Sequence, residues 1–170
     1  GTGGVSVFAA QFAKMFGARV VSTSGSDEKL ERLRELGIYE TVNYREREDW
    51  DAAVLEIVGK PGVDHVVEVG GSGTLDRSIN AVRIGGHVAM IGALTGAAGF
   101  NPTTVFMKAI RLQGIFTGSR QTFEDMNRAI SVNKLKPVID RVFEFDEVPE
   151  AFRHMETASH FGKIVIKINN

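Results

Sequence analysis

Cysteine is absent from the 170 residues. Disulfides, thiolate nucleophiles and Cys-containing zinc sites are thereby excluded from this polypeptide. Net charge is nearly absent too: 20 Lys and Arg against 21 Asp and Glu leave −1. Without a broad field of one sign, neither nucleic acid nor an anionic lipid surface is an expected partner. No apolar run approaches the roughly 18 to 20 residues that cross a bilayer. No basic segment precedes the opening Gly1-Thr2-Gly3-Gly4, so the expectation is a cytoplasmic protein without a membrane partner. Catalytic constellations are also scarce. His65, His87, His154 and His160 are scattered, without the local His and carboxylate spacing of a metal site, and no metal ligand is assigned. Gly71-Ser72-Gly73 follows a strand but lacks the G-x-S-x-G spacing of a nucleophile elbow. Glu46, Glu48 and Asp49 alternate with Arg45 and Arg47 as a solvated charged turn, and no catalytic residue is named.

What is present is ordinary for one globular domain: 43% hydrophobic and 24% charged residues, in a length that builds a substantial core. Val5, Phe8, Ala9, Phe12, Ala13 and Phe16 recur at three-and-four spacing and predict an amphipathic helix ended by Gly17. A β-branched run over Arg19 to Thr23 follows, then a second helix with Ser26 as N-cap, ending near Gly37. Further strands are expected at Thr41 to Tyr44, Val63 to Val69, His87 to Ile91 and Leu112 to Phe116. Helices over Trp50 to Val58, Leu75 to Val82 and Phe123 to Val132 supply crossovers. This alternation predicts α/β architecture with a doubly wound, parallel, Rossmann-type sheet over residues 1–136. Beyond Pro137 a strand at Val142 to Phe145, a helix at Val148 to Thr157 opened by Asp146, and a strand at Lys163 to Ile168 form a segment, 137–170, of a second lobe. The Gly-rich Leu94 to Phe100 is expected to be a loop.

Gly1-Thr2-Gly3-Gly4-Val5-Ser6 fits G-x-G-x-x-small directly ahead of a helix and the next strand. Glycines let the backbone approach a pyrophosphate, and the helix start offers unpaired N–H groups and partial positive charge. By itself the pattern is weak; its place in a helix, strand, helix order strengthens it. The motif ordinarily follows a buried strand, so the expectation is a fragment whose sheet lacks its first strand, leaving two ladders unpaired at its middle.

Several segments carry a specific likeness, in order: GTGGVSVFAAQFAKMFGARVVSTSGSDEKLERLRELG, VDHVVEVGGSGTL, GGHVAMIG, LQGIFTGSRQTFEDMN and PVIDRVFEFDEVPEAFRHMETASHFGKIVIKI. Over nearly its whole length the chain resembles medium-chain dehydrogenases/reductases of the zinc-type alcohol dehydrogenase kind, with quinone and enoyl reductases as close relatives. The resemblance implies a two-domain, NAD(P)-dependent oxidoreductase whose cofactor domain is mostly here. Its zinc ligands and most substrate contacts lie in a part not represented, so that this chain alone is expected to be inactive. An alternative is a stand-alone dinucleotide-binding or assembly module. A methyltransferase of similar fold would want an acid near Thr23, which is lacking.

Cofactor choice is read about 20 residues after the glycines, where NAD binders place an acid for the ribose 2'-OH. Here stand Ser22, Thr23, Ser24 and Gly25, and Lys29 with Arg32 follows on the next helix. Space for a 2'-phosphate and a nearby cation favour NADP over NAD, although both cations also suit a solvated helix face. Gly70 and Gly71, Ile91 and Gly92, and Phe116, Thr117 and Gly118 close three successive strands at the edge where open α/β sheets bind ligands. By resemblance, Tyr44 lies near the adenosine phosphate, the Phe116 region offers main-chain groups to the carboxamide, and Lys163 lies near the pyrophosphate. The assigned cofactor residues are thus Gly1, Thr2, Gly3, Gly4, Val5, Ser22, Ser24, Lys29, Tyr44, Gly70, Gly71, Ile91, Gly92, Phe116, Thr117 and Lys163. Glu68, inside an apolar strand, is expected to be capped by backbone N–H groups rather than to be catalytic. Ile110 to Phe116 is an apolar edge candidate that the family uses across a dimer axis, which points to a homodimer. The substrate implied by the resemblance is an alcohol, aldehyde, ketone, enone or quinone.

Overall fold

Strands and helices alternate along the chain in the computed structural model, which describes residues 1–96 and 99–168. The described residues separate into two compact regions, each with its own core. The first comprises Gly1–Ser22, Asp27–Tyr39 and the chain from Gly118 onward; the second comprises Thr23–Ser26 and Glu40–Thr117.

In the first region, α1 (Gly4–Met15) buries Val7 and Ala10, and α2 (Asp27–Glu35) buries Leu30 and Leu33. With Ile38 and Phe161 these residues form one apolar cluster. Burying a Leu or Phe side chain of this kind stabilises by about 1.5 to 3 kcal/mol. Gly17 and Gly37, at φ +78° and +77°, terminate the two helices in the left-handed conformation that a Cβ disfavours, as the sequence leads one to expect. β6 (Ile139–Glu144) and β7 (Lys163–Lys167) pair in parallel, with α7 (Val148–Glu156) as crossover. Asp146 is not the cap of α7. A 3-10 turn over Phe145–Glu147 intervenes, and a reciprocal box between Glu144 and Glu147 caps that turn, in which a Glu147 carboxylate oxygen accepts the Glu144 N–H at 2.9 Å. α6 (Arg120–Val132) starts three residues before the expected Phe123, at a Ser119 cap whose Oγ accepts from the Thr122 N–H.

In the second region, β3 (Val63–Glu68), β4 (Val82–Met90) and β5 (Arg111–Gly114) form a parallel sheet in that order. The ladder runs level at its C-terminal edge, where Glu68 pairs with Met90 and Met90 with Gly114. Leu75 and Ile79 of α4 (Leu75–Ala81) pack with Val82, Val88 and Ile110 to make the second core. β4 begins at Val82 rather than His87. Its first residues form an irregularity around Gly85 (φ +67°), and the register shifts between Val63 and His65, which hid a strand start inside a helical pattern. α3 (Trp50–Val58) has the expected bounds. α5 (Pro102–Met107) is a helix that the sequence reading lacked; Asn101 Oδ1 caps it at 2.9 Å from the Thr103 N–H, and Pro102 occupies its first turn. Of the expected Gly-rich loop, Leu94 to Gly96 form a turn, while Ala97 and Ala98 lie outside the described residues.

β1 (Val21–Ser24) and β2 (Glu40–Asn43) form a further two-stranded sheet. The α/β class with parallel strands therefore stands. Its described strands fall into three small sheets, β1-β2, β3-β4-β5 and β6-β7, instead of one.

Candidate functional site

The Gly-rich opening belongs to the first region. Gly3 is the extended N-cap residue of α1, and no side chain caps that helix. The Val7 N–H takes the Gly3 carbonyl at 3.0 Å, so the helical ladder starts there. The turn is held from the other side by the C-terminal segment: Gly3 bridges Gly162 in parallel, and the Gly162 N–H donates to Thr2 O at 2.9 Å. Thr2 is buried by this contact and Val5 is half exposed. Lys163 lies over Gly4, where a Cβ would stand 2.5 Å from its Cδ and 3.4 Å from its Nζ. The missing Cβ at position 4 lets the flexible Lys163 stem lie this close. The result is an uncapped helix start with an ammonium beside it, which suits an anion.

Behind Lys163, Asp140 organises the loop. Its Oδ1 accepts from the Phe161 N–H at 2.8 Å and from Arg32 at 3.3 Å, and its Oδ2 meets His154 Nε2 at 2.8 Å. Burial pushes the Asp140 carboxyl up, but the hydrogen bonds from His154, Phe161 and Arg32 outweigh it and hold it below the usual carboxylate value. Arg32 also stacks over the Phe161 ring at 4.3 Å. Lys29 donates to the Ala158 carbonyl at 2.6 Å, and burial lowers its pKa. Both α2 cations named from the sequence are thus engaged with this chain. His160 sits 3.9 Å from the position a Gly3 Cβ would take; burial, then the Lys29 charge, lower its pKa.

The second region carries the remaining residues along one sheet edge. Glu68 is buried and accepts from the Gly70 and Gly71 N–H groups at 2.7 and 3.0 Å and from the Thr74 hydroxyl at 2.6 Å, while its other oxygen takes Ser78 Oγ. The expected backbone cap is present, and two hydroxyls complete it. Gly71 is at φ +91°, and a Cβ there would press on Ala93. A Cβ on Gly92 would meet the Val69 carbonyl at 2.5 Å. Thr95 stitches the two loops, its N–H and Oγ1 donating to Gly70 O and its Oγ1 accepting from the Gly73 N–H at 2.8 Å. Ile91 extends the sheet through its N–H to Glu68 O, and Ile115 through its N–H to Met90 O. Phe116, 93% exposed, and Thr117 follow at the same edge. Ser24 is buried; its carbonyl accepts the Tyr44 N–H at 3.1 Å, and the Tyr44 ring packs on Gly25. Ser22 is likewise buried in β1.

A family described as zinc-binding dehydrogenase matches residues 4–132. The chain belongs to the zinc-binding dehydrogenase family. A zinc-type alcohol dehydrogenase-like protein of Schizosaccharomyces pombe is 40% identical over 99% of this chain and 50% of its own length. Among solved structures, an NAD-dependent alcohol dehydrogenase superposes with a TM-score of 0.88 at 35% identity, over 98% of this chain and 49% of that one. The 2-octenoyl-CoA carboxylase reductase CinF, solved with NADP and 2-octenoyl-CoA, gives a TM-score of 0.89 at 25% identity, over 97% of this chain and 41% of that one. The chain therefore spans about half the length of the curated relatives it matches. Its fold is that of the dinucleotide-binding part of this family.

Among the described residues, no group of three or more His, Cys, Asp or Glu is arranged to hold a metal, and no helix is long and apolar enough to cross a membrane. His65 and His87 are neighbours across β3 and β4, with Nδ1 atoms 3.4 Å apart. Asp140, Thr74, Ser78 and Thr95 escaped the sequence reading. Thr74 and Ser78 had a usable signal, since they lie at i+6 and i+10 from a carboxylate in an apolar strand, at and just inside a helix start. Asp140 had none, because its partners are 14, 21 and 108 residues distant.

Proposed function

We propose that this chain is the nucleotide-binding part of an NAD(P)-dependent oxidoreductase that moves a hydride to or from an alcohol, aldehyde, ketone, enone or quinone. The observation that carries the reading is the uncapped start of α1 with Lys163 laid over Gly4. Anions are stabilised at a helix N-terminus by unpaired N–H groups and the macrodipole, and Lys163 adds a full charge. In this reading Gly1, Thr2, Gly3, Gly4 and Val5 hold the pyrophosphate with Lys163. The strand-end residues Gly70, Gly71, Ile91, Gly92, Phe116 and Thr117 line the nicotinamide half. Ser22, Ser24, Tyr44 and Lys29 lie toward the adenosine. The nicotinamide supplies the hydride; this chain's residues bind and orient it. Substrate contacts and any zinc ligands belong to the rest of the protein, toward which residues 137–170 lead.

NADP is the preferred form, because the end of β1 carries serines and a glycine where an acid would recognise a free ribose hydroxyl. The protein is read as cytoplasmic and as a homodimer through Ile110 to Phe116. β5 ends its sheet in the order β3-β4-β5, and Ile115 and Phe116 are exposed. Titration calorimetry on the full-length protein with NADPH and NADH tests the core of the reading, and binding of neither overturns it. NADPH consumption with aldehydes, enones or quinones supports the enzyme; binding without turnover supports a stand-alone module. Sedimentation as a monomer at micromolar concentration overturns the dimer.

A further inference from the structure

We propose that His65 of β3 and His87 of β4 form a two-histidine site for a transition-metal cation of the Zn²⁺, Ni²⁺ or Cu²⁺ kind. The site stands independently of the dinucleotide-binding reading above. Val66 and Val88, the next residue along each strand, pack in the core with Leu75 and Ile79 of α4, so strand alternation turns both histidines to the opposite face of the sheet.

The two residues are direct partners in the parallel ladder, and their rings meet at 88° with centroids 5.5 Å apart. Both strands are irregular just before them: the register shifts between Val63 and His65, and Gly85, at φ +67°, lies two residues ahead of His87. Irregularities of this kind re-aim side chains, here toward each other. The facing atoms are the two Nδ1, 3.4 Å apart. A well-formed N–H hydrogen bond is shorter, about 2.7 to 3.2 Å. Two nitrogens that each lie about 2.05 Å from one tetrahedral ion stand about 3.3 Å apart. The separation therefore suits a shared cation better than a shared proton. Among the described residues His87 Nε2 is buried without a hydrogen-bond partner, so Nδ1 is the nitrogen through which this imidazole is satisfied.

Imidazole nitrogens select zinc, nickel and copper over Mg²⁺ and Ca²⁺, which take oxygen ligands. Among the described residues no third His, Cys, Asp or Glu joins the pair, so the remaining coordination positions fall to water. Such a site is open and exchangeable, unlike a closed four-ligand structural one. The charges nearby are otherwise engaged. Asp64, beside His65, is paired with Arg83 at 2.6 Å, and Arg111, opposite His87 across β4 and β5, is exposed to water. A cation held by both rings clamps β3 to β4 and favours the folded form by mass action.

The test is calorimetric titration with Zn²⁺ alone, in a buffer that does not bind metal, of the full-length protein and of its H65A and H87A variants. Zinc held elsewhere in the protein is common to all three, so the difference between them reports this pair. Wild type should show a site with a dissociation constant of roughly 1 to 100 µM that weakens at least about 30-fold in either variant. Saturating zinc should also raise the melting temperature of wild type by more than that of H65A. About a tenfold excess of Mg²⁺ should leave the wild-type isotherm unchanged. The proposal is overturned if H65A keeps the wild-type isotherm and the same thermal shift, or if Mg²⁺ displaces the zinc; the two imidazoles are then a hydrogen-bonded pair only. His65 is exposed, so H65A decides the outcome even where H87A fails to fold.

Discussion

Each of the two compact regions is organised by a carboxylate, fully buried at Glu68 and partly exposed at Asp140, and the two are satisfied in unlike ways. Glu68 is surrounded by neutral donors, two glycine N–H groups and two hydroxyls, all within ten residues along the chain. Asp140 is surrounded by Arg32, His154 and one N–H, two of them more than 20 residues distant. The first arrangement shapes a loop locally and does not change with the protonation of a partner. The second ties remote segments together through charge, and so depends on pH and salt. A loop presented at a sheet edge is thus fixed by dipoles, while the segment that carries Lys163 to the start of α1 is fixed by ions.

The largest effect that sharpens this contrast is expected from E68A. It leaves four donors without their acceptor in a buried site and should lower stability by about 3 to 4 kcal/mol in urea unfolding, with E68Q intermediate. G92A comes next at about 2 to 3 kcal/mol, because the added methyl meets the rigid Val69 carbonyl rather than a movable side chain. D140A should cost about 2 kcal/mol, and D140N about half of that, since Asn still accepts the Phe161 N–H. If D140A proved neutral while E68A did not, the Asp140 cluster would be a surface ornament and the contrast would break.

A smaller, pH-dependent effect separates the regions without mutation. The His160 folded-state pKa lies below its ordinary 6.5, so the folded form refuses a proton that the unfolded chain accepts. Stability contributed by keeping it neutral is full above that value and falls as pH drops from 6.5 toward the lowered one. The depressed Asp140 carboxyl acts in the same direction at lower pH: its contribution is present above the unfolded carboxylate value and is lost as pH falls through its folded value. Hydrogen-exchange protection of the Phe161 amide should therefore decline on acidification. The smallest effect is G4A, within about 0.5 kcal/mol of neutral, since the obstructing atom is Lys163 Cδ on a flexible stem. A large loss there would mean that Lys163 is held more tightly than its partners indicate.

Much of this was legible beforehand because the signals are local. The stripe of α1, the glycines closing α1 and α2, the span of Trp50–Val58 and the strand carrying Glu68 each follow from residues within one or two turns of one another. Even the cap on Glu68 could be foreseen, since a carboxylate in an apolar strand must find donors. Illegible were α5, whose Asn-Pro start reads equally as a loop, and the early start of β4, where glycines interrupt the strand pattern. The candidate site divides the same way. The glycines announced themselves, but the contacts of Lys29 with Ala158 and of Arg32 with Asp140 were out of view.

The sequence by itself determined where chain could bend, which faces turned inward, and that a glycine-rich helix start precedes an acid-free strand end, because these depend on backbone sterics and periodicity over a few residues. Only the tertiary structure decided which cations remain available. An ammonium or guanidinium is committed by whichever oxygen reaches it in space, and Ala158 and Asp140 lie more than a hundred residues beyond the side chains they engage.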